Sequence, residues 1–555
     1  MDNQLLKMWH AIPSGAAKKQ DLAEILDLSL KQTSRLLQKW SNEGWLVFTA
    51  GKGRGKVSKL DWLKNVEKYF EAELMEMIEQ ESVEVSSKYL LYDWSVESKM
   101  RLIDKFRMSF GYFHDLSEAD KLIIPKKNPL LTKHPLEAAD IYSANMIANV
   151  FNRLVSVDSL GIVEPELAHS WEMGDTRLVL YLRKDVKFHD GSTLTAEDAA
   201  TCLNRLREHS HFHELWKPIT SIKAVGPLVL EINFPEGCSY CLQMLGMINS
   251  SVFKEISGDV IGTGPFYFEG DGKSKTTLRA FNDYFRERPL LDAVEFIQVP
   301  KDFDSIIYRS TTQDAACDTF IVESDSGVGM MIFNAFRDSA IQRKEVRDYV
   351  HFAIAKHRHK IEAYYPRAKA NYQSILIGEN PNYEIPNAAR PELDRPLVIK
   401  TTDYLEGATA WLKEALEEEG IPVEIQHLSF EGKMDDNGLD QQADLFVHGE
   451  VFEMNQSFSF YHFFRNGYSP FASLCKTDAI LTDRLNRYAS TPFSEWAQLN
   501  LELEKYLVES SLMVPLYYER RQIPFSADLM NISISHFGYV DFSKLWVRPS
   551  TIPTG

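Results

Sequence analysis

Cysteine is scarce in this chain. Five occur in 555 residues, at Cys202, Cys238, Cys241, Cys317 and Cys475, too few and too irregular for a disulfide framework, which predicts a reducing compartment. Long apolar runs are missing too. The longest charge-free stretch near the middle, 237–253, is broken by Ser, Asn, Gln and Gly, whereas a membrane-spanning helix needs about 20 largely apolar residues. No membrane segment or membrane partner is expected. Met1-Asp2-Asn3-Gln4-Leu5-Leu6-Lys7 shows no basic stretch leading into an apolar one, so we expect no secretory signal and a cytoplasmic location. Catalytic motifs are equally wanting. There is no Gly-x-Ser-x-Gly elbow and no His-Glu-x-x-His, and Gly272-Lys273-Ser274 matches only the tail of a phosphate loop, because Tyr267 stands where its leading glycine belongs. Cys238-Ser239-Tyr240-Cys241 has no second pair beside it, and His209, His211 and His213 could converge only on an extended strand, whereas their surroundings read as a helix end. The chain is expected to be no enzyme and to hold no metal or other cofactor.

What is present is unevenly distributed. The composition, 44% hydrophobic and 12% aromatic, is that of an ordinary folded protein, and the length allows three to four domain-sized units. The net charge of −18 divides sharply: residues 1–60 carry ten Lys/Arg against five Asp/Glu, residues 61–120 carry seven against fourteen, and the remaining 435 residues hold −16. A small basic head before a large acidic body points to a nucleic-acid-binding module joined to something else. In the head, 4–12 and 21–27 read as short helices. A third helix follows, opened by Ser29 and Gln32 as a capping box. Along it Leu30, Leu37 and Trp40 fall on one side, while Lys31, Arg35 and Lys39 recur every four residues on another. We expect Lys31, Gln32, Thr33, Ser34 and Arg35, with Lys39 beyond them, to face the major groove of double-stranded DNA. Two strands, 45–49 and 57–60, then flank the tip Gly51-Lys52-Gly53-Arg54-Gly55-Lys56. This reads as the wing of a winged helix-turn-helix over 1–60, with Lys52, Arg54 and Lys56 reaching phosphates or a minor groove.

Residues 61–120 read as a Glu-rich helical connector, and from 121 short strands alternate with helices, as in an α/β body. Several motifs there are ordered as in one family: Asn149-Val150-Phe151-Asn152-Arg153-Leu154-Val155, Pro165 to Glu172, Leu182 to Gly191, Leu194 to Ala199 and Gly262-Thr263-Gly264-Pro265-Phe266. The body resembles family 5 solute-binding proteins, the oligopeptide- and dipeptide-binding class, over roughly 125–545. Behind a winged helix, and with the carboxyl-terminal run Phe537 to Trp546, the whole resembles the SgrR family of transcriptional regulators. That resemblance implies a two-lobed, type II periplasmic-binding-protein-like domain over 121–555, with lobe I at about 121–300 and 500–555 and lobe II at about 301–499. It also implies that this domain senses a small molecule, whether sugar, sugar phosphate or peptide-like, and modulates transcription; the oligomeric state stays open. The alternative is the solute-binding component of an oligopeptide-type ABC transporter. One departure bears on the ligand. Where transport members carry Gly-Trp-x-x-Asp-Tyr, this chain has Gly449-Glu450-Val451-Phe452-Glu453-Met454, which puts a peptide ligand in doubt and leaves Glu453 as the acid at that place. Trp171 is a second candidate to line the cleft.

Overall fold

Capping and apolar spacing account for the head. In the computed structural model, α1 (Asn3–Ala11) begins where the Asp2 carboxylate accepts from the Gln4 N–H at 3.1 Å, and it buries Leu5, Leu6 and Met8. α2 (Lys19–Ile25) buries Leu22 and Ala23. α3 (Leu30–Asn42) opens with the expected capping box: the Gln32 N–H donates to Ser29 Oγ at 3.4 Å and the Ser29 N–H to Gln32 Oε1 at 3.1 Å. Its buried stripe is Thr33, Leu37 and Trp40, one turn apart. Leu30 departs from the expected stripe, since at the first helical position it projects past the core and is 51% exposed. β1 (Gly15–Ala16), β2 (Leu46–Thr49) and β3 (Lys59–Trp62) pair antiparallel in the order β1-β3-β2, completing a winged helix-turn-helix. The structure describes the chain except for residues 52–57, 82, 107–108, 116–117, 159, 271–274, 301–302, 304–318, 372–373, 403–404, 430–442, 453–454, 467–468, 470, 527–528, 536–538 and 548–555.

The head does not hang on a tether. α4 (Val66–Gln80), α5 (Val83–Ser87) and α6 (Val96–Phe106) send Phe70, Leu74, Leu102 and Phe106 into the same core as Leu5, Leu37 and Trp40. Glu71 clamps α4 to α6 through Arg101 Nη2 and Ser98 Oγ, each at 2.8 Å. β4 (Gly111–Asp115) and β5 (Glu118–Lys126) follow, so strand pairing begins inside the stretch read from sequence as connector. β5 joins a sheet whose faces serve two different cores, through alternation of its side chains. Leu122 and Ile124 point into the core of the α/β body, while Ile123 packs on the core of the head and connector.

The body adds α7 (Ile141–Val150), the hairpin β6 (Val155–Val157) and β7 (Val163–Pro165), then β8 (Ala168–Met173) and β9 (Arg177–Leu182). α8 (Ala196–Glu208), α9 (His213–Trp216), β10 (Ser221–Gly226), β11 (Val229–Asn233) and α10 (Cys241–Leu245) complete one antiparallel sheet, β10-β11-β9-β8, and its cover. A small hairpin, β12 (Lys254–Ile256) and β13 (Asp259–Ile261), leads to β14 (Phe266–Glu269), β15 (Lys275–Ala280) and β16 (Ala293–Gln298). These join β5 and β4 in the order β14-β15-β16-β5-β4, with β16 and β5 parallel.

Four of the sequence motifs meet at one knot beside this sheet. The Gly264 N–H donates to Val150 O at 2.9 Å, and Thr263 Oγ1 donates to Asn152 Oδ1 at 3.0 Å. Asn152 Nδ2 in turn donates to Glu166 Oε1 at 2.7 Å. From the His-Asp-Gly loop, His189 Nδ1 accepts the Gly262 N–H at 3.2 Å while Nε2 lies 3.1 Å from Gly264 O. The backbone donor on Nδ1 fixes the tautomer with hydrogen on Nε2.

A second large sheet is built on β17 (Thr319–Phe333) and β22 (Met513–Ser526), long antiparallel partners, so 513–526, read from sequence with lobe I, pairs with strands from the range read as lobe II. Between them in sequence come α11 (Lys344–His357), α12 (Ile361–Tyr364), β18 (Ala368–Ala370), β19 (Leu397–Thr402), α13 (Glu406–Glu418), β20 (Val423–Leu428) and β21 (Leu445–Val451). The sheet runs β18-β22-β17-β21-β19-β20. α11 to α13 cover the face bearing Met331, Phe333 and Ile399, while Val328, Met330 and Ile332 face the larger core. α14 (Gln456–Arg465), α15 (Phe471–Thr477), α16 (Ala479–Asn486) and α17 (Trp496–Glu509) also join that larger core. Tyr240 packs there edge-on against Tyr461 at 5.2 Å and tilted against Trp496 at 5.4 Å between ring centroids. Helices from 456–509 thus share a core with the segment that begins at β5. The carboxyl-terminal run returns to α7, where Asn149 Oδ1 accepts the Phe542 N–H at 3.1 Å.

Candidate DNA interface and effector domain

α3 owes its chemistry to its phase. With Thr33, Leu37 and Trp40 turned inward, Lys31, Gln32 and Arg35 are exposed, as expected. Thr33 corrects the expectation of a groove-facing side chain: it is fully buried, and its Oγ1 donates to Ser29 O at 3.0 Å. Ser34 is half-buried and donates back to Leu30 O at 2.6 Å, so its hydroxyl is already engaged. Lys39 is exposed but lies 3.1 Å from the Asp2 carboxylate, which also accepts from the Trp40 indole at 3.0 Å. Burial alone pushes the Asp2 carboxyl up, yet the Trp40 and Lys39 bonds more than offset it and hold the group below its usual range. The same hydrogen bond raises Lys39. Lys52, Arg54 and Lys56 lie outside the described residues. Sequence reasoning missed Gln38 and Asn42. Gln38 and Asn42 share the exposed side of Lys31 and Arg35, with Gln38 Nε2 donating to Asn42 Oδ1 at 3.0 Å. The signal available was spacing, since 31, 35, 38 and 42 fall on one helical face.

In the body, Glu453 lies outside the described residues. Glu450, three residues before it, takes His448 Nε2 at 2.9 Å, and the His448 ring packs on Phe463 at 5.4 Å. Trp171 is half-buried on the edge strand β8, opposite Leu180, and packs against the body's core. Cys238 and Cys241 are buried free thiols. The Cys238 bond and burial push the Cys241 thiol up, away from the thiolate that redox chemistry uses. Among the described residues no group of three or more His, Cys, Asp and Glu is placed to hold a metal ion, and no helix is long and apolar enough to cross a membrane.

Comparison with known proteins gives each part a counterpart. Residues 2–102 match the model of the sugar transport-related sRNA regulator N-terminal domain, and residues 163–313 match that of the bacterial extracellular solute-binding proteins, family 5 middle region. Over nearly its full length the chain aligns with the HTH-type transcriptional regulator SgrR of Yersinia enterocolitica, 23% identical over 575 residues and covering 99% of both chains. The chain is similar to the SgrR regulators from end to end. The SgrR regulator of Photorhabdus laumondii is 22% identical over 581 residues, again covering 99% of each chain. Within this SgrR-type architecture the fold of the body matches that of the periplasmic binding protein DppA from Helicobacter pylori, solved in complex with the peptide STSA. The TM-score is 0.63 at 17% identity, covering 77% of this chain and 98% of that one. The relatives are transcription regulators and solute-binding proteins.

Proposed function

We propose that this protein is a cytoplasmic transcriptional regulator that binds double-stranded DNA through α3 and the wing and senses a small molecule through its solute-binding body. It acts by binding rather than by catalysis. The observation that carries the reading is the outward face of α3, where Lys31, Arg35 and Gln38 stand free of the head's core while the helix is anchored by Trp40. A transport component has no use for such a face. Trp171 and Glu453 are our candidates for effector contact, with a sugar, sugar phosphate or peptide-like molecule as the ligand class. Titrating the full chain with duplexes selected from a random library tests the DNA reading. Arg35→Ala is expected to weaken binding by about 5- to 150-fold, the worth of one good base contact at ~1–3 kcal/mol. Lys39→Ala is expected to cost less than Arg35→Ala, because its ammonium already rests on Asp2. Equal losses for both variants would count against this division of roles.

Coupling between body and head runs through the sheet that both cores share. Lys275 on β15 bonds Glu84 of α5 and Glu295 of β16, each at 3.2 Å, pinning connector to sheet beside the contacts of Ile297 and Val299 with the head's core. An effector can be found by the rise in melting temperature it causes in a screen of sugars, sugar phosphates and short peptides. Lys275→Met is then expected to leave duplex affinity without effector and effector affinity without duplex near wild type, while the factor by which each alters the other shrinks. Unchanged mutual effects would place the coupling elsewhere.

A further inference from the structure

Among the described residues, the parallel strands β19 and β21 pair only at Ile399↔Leu445 and Lys400↔Phe446. Each strand then continues, β19 to Thr402 and β21 to Val451, so the two part at their carboxyl ends. Crevices at such ends are where open α/β sheets hold ligands. Side-chain alternation decides what lines this one. His448 and Glu450 stand opposite Met330 and Val328 of β17, and both of those face the larger core, so His448 and Glu450 share that face. Thr401 turns the other way, with its hydroxyl 2.7 Å from that of Thr409 on α13. Its neighbour Thr402 therefore lies on the face of His448. Two polar groups there have bonding capacity left over. Thr402 is 4% exposed and its Oγ1 has no hydrogen-bond partner, a costly state for a buried hydroxyl. Glu450 accepts from His448 Nε2 at 2.9 Å through Oε2, which leaves Oε1 without a bond among the described residues. The Glu450 side chain is 31% exposed and that of His448 only 6%, and the His448 ring rests on Phe463. The carboxylate is thus held from behind and open in front.

We infer that Thr402 and Glu450 form an effector subsite that binds neighbouring hydroxyl groups of a polyhydroxylated molecule, with His448 as the positioning residue that orients the carboxylate. The inference rests on the proposed sensing role of the body. A carboxylate oxygen only accepts, whereas a threonine hydroxyl both donates and accepts. Hydroxyl groups on adjacent carbons answer both, one donating to Glu450 Oε1 while the next bonds Thr402 Oγ1 in either sense. An ammonium group would also satisfy Glu450, and the experiment separates the two.

The full chain is screened by melting temperature against pentoses, hexoses and hexitols, their phosphate esters, and di- and tripeptides. A hydroxyl-rich member, with or without phosphate, is expected to raise it, and its dissociation constant is then measured by calorimetric titration beside those of its deoxy analogues. Glu450→Gln is expected to weaken binding about tenfold, through loss of a hydrogen bond to a charged group. Thr402→Val keeps the shape without the hydroxyl and is expected to weaken binding about fivefold. Its melting temperature without ligand should nevertheless equal or exceed that of wild type, because the change removes a buried group that nothing bonds. One deoxy analogue should bind wild type about fivefold more weakly than its parent, whereas Thr402→Val should not distinguish the two. If only peptides bind, if both variants bind the hydroxyl-rich ligand as wild type does, or if every deoxy analogue affects wild type and Thr402→Val alike, the inference is overturned while the sensing reading stands. If no member of the panel shifts wild type, the sensing reading fails and takes the inference with it.

Discussion

Gly264→Ala is expected to destabilise the solute-binding body by about 3 kcal/mol or more, read as a fall in the denaturant midpoint of its unfolding transition. The argument is steric rather than conformational. A Cβ on Gly264 would stand 2.5 Å from Val150 O and 2.8 Å from Phe151 N, both backbone atoms at the end of α7 that cannot swing aside. Relief requires parting the Gly264 N–H from Val150 O, now 2.9 Å apart, and that bond holds the turn against α7. The neighbouring bonds fail with it, because Thr263, Asn152 and Glu166 form one buried chain of donors and acceptors. Gly258→Ala is the control. Gly258 has φ of +92° but open space around its Cβ position, so alanine there should cost only about 1 kcal/mol of backbone strain. Equal midpoints for the two variants would show that close approach is not why the turn requires glycine.

Acid is expected to loosen the body in the range from about pH 6.5 to about pH 4. His351 is buried and His189 largely so, and loss of solvent holds each imidazole down to about 4 from an ordinary value of 6.5. Geometry supports the direction at His189, because Nδ1 already accepts the Gly262 N–H and a proton there would face another donor. The unfolded chain therefore binds protons more readily than the folded one across this window. Stability is intact above the unfolded value and is lost as pH falls toward the folded one, by up to ~3 kcal/mol for each histidine. Glu504 slopes the other way. Burial raises its carboxyl above the usual range, against the bonds from Ser374, Tyr383 and the Ile375 N–H, so its contribution is lost as pH rises. His189→Gln separates the terms. It keeps a donor toward Gly264 O and should flatten the profile of denaturant midpoint against pH relative to wild type. A wild-type profile level from pH 7 to pH 4.5, or one left unchanged by His189→Gln, would overturn the assignment.

Much of this architecture was legible in sequence because its signals are local or recur as ordered motifs. Ser29 and Gln32 announce α3 by a capping box that needs only three residues. The five body motifs are recognisable apart, and the structure gives four of them a common reason, since Asn152, Glu166, His189 and Gly264 meet at one knot. The connector's partners were not legible. Apolar spacing shows that Phe70, Leu74 and Phe106 are buried but not what buries them, and nothing local says that Ile297, 200 residues away, shares their core. In the DNA-reading face the error was one of helical phase. Basic residues every four positions located the exposed side, yet a run such as Lys31 to Arg35 covers more than a full turn and must include an inward residue, which is Thr33. The effector site was the least legible. Which residues line a cleft depends on how segments far apart in the chain pack, and residue spacing does not encode that.

The sheet with two cores bears on how a signal can travel. Regulators whose domains are strung on a flexible segment must communicate through changes in tether length or in local concentration. Here the side chains of β5 alternate between the body's core and the head's core, so the two are separated by a single layer, a spacing of about 10 Å on each side. There is no slack to take up. A tilt of that wall on the body's side would displace α4 to α6 with it, and the output expected of such a coupling is a change in the angle at which α3 is presented.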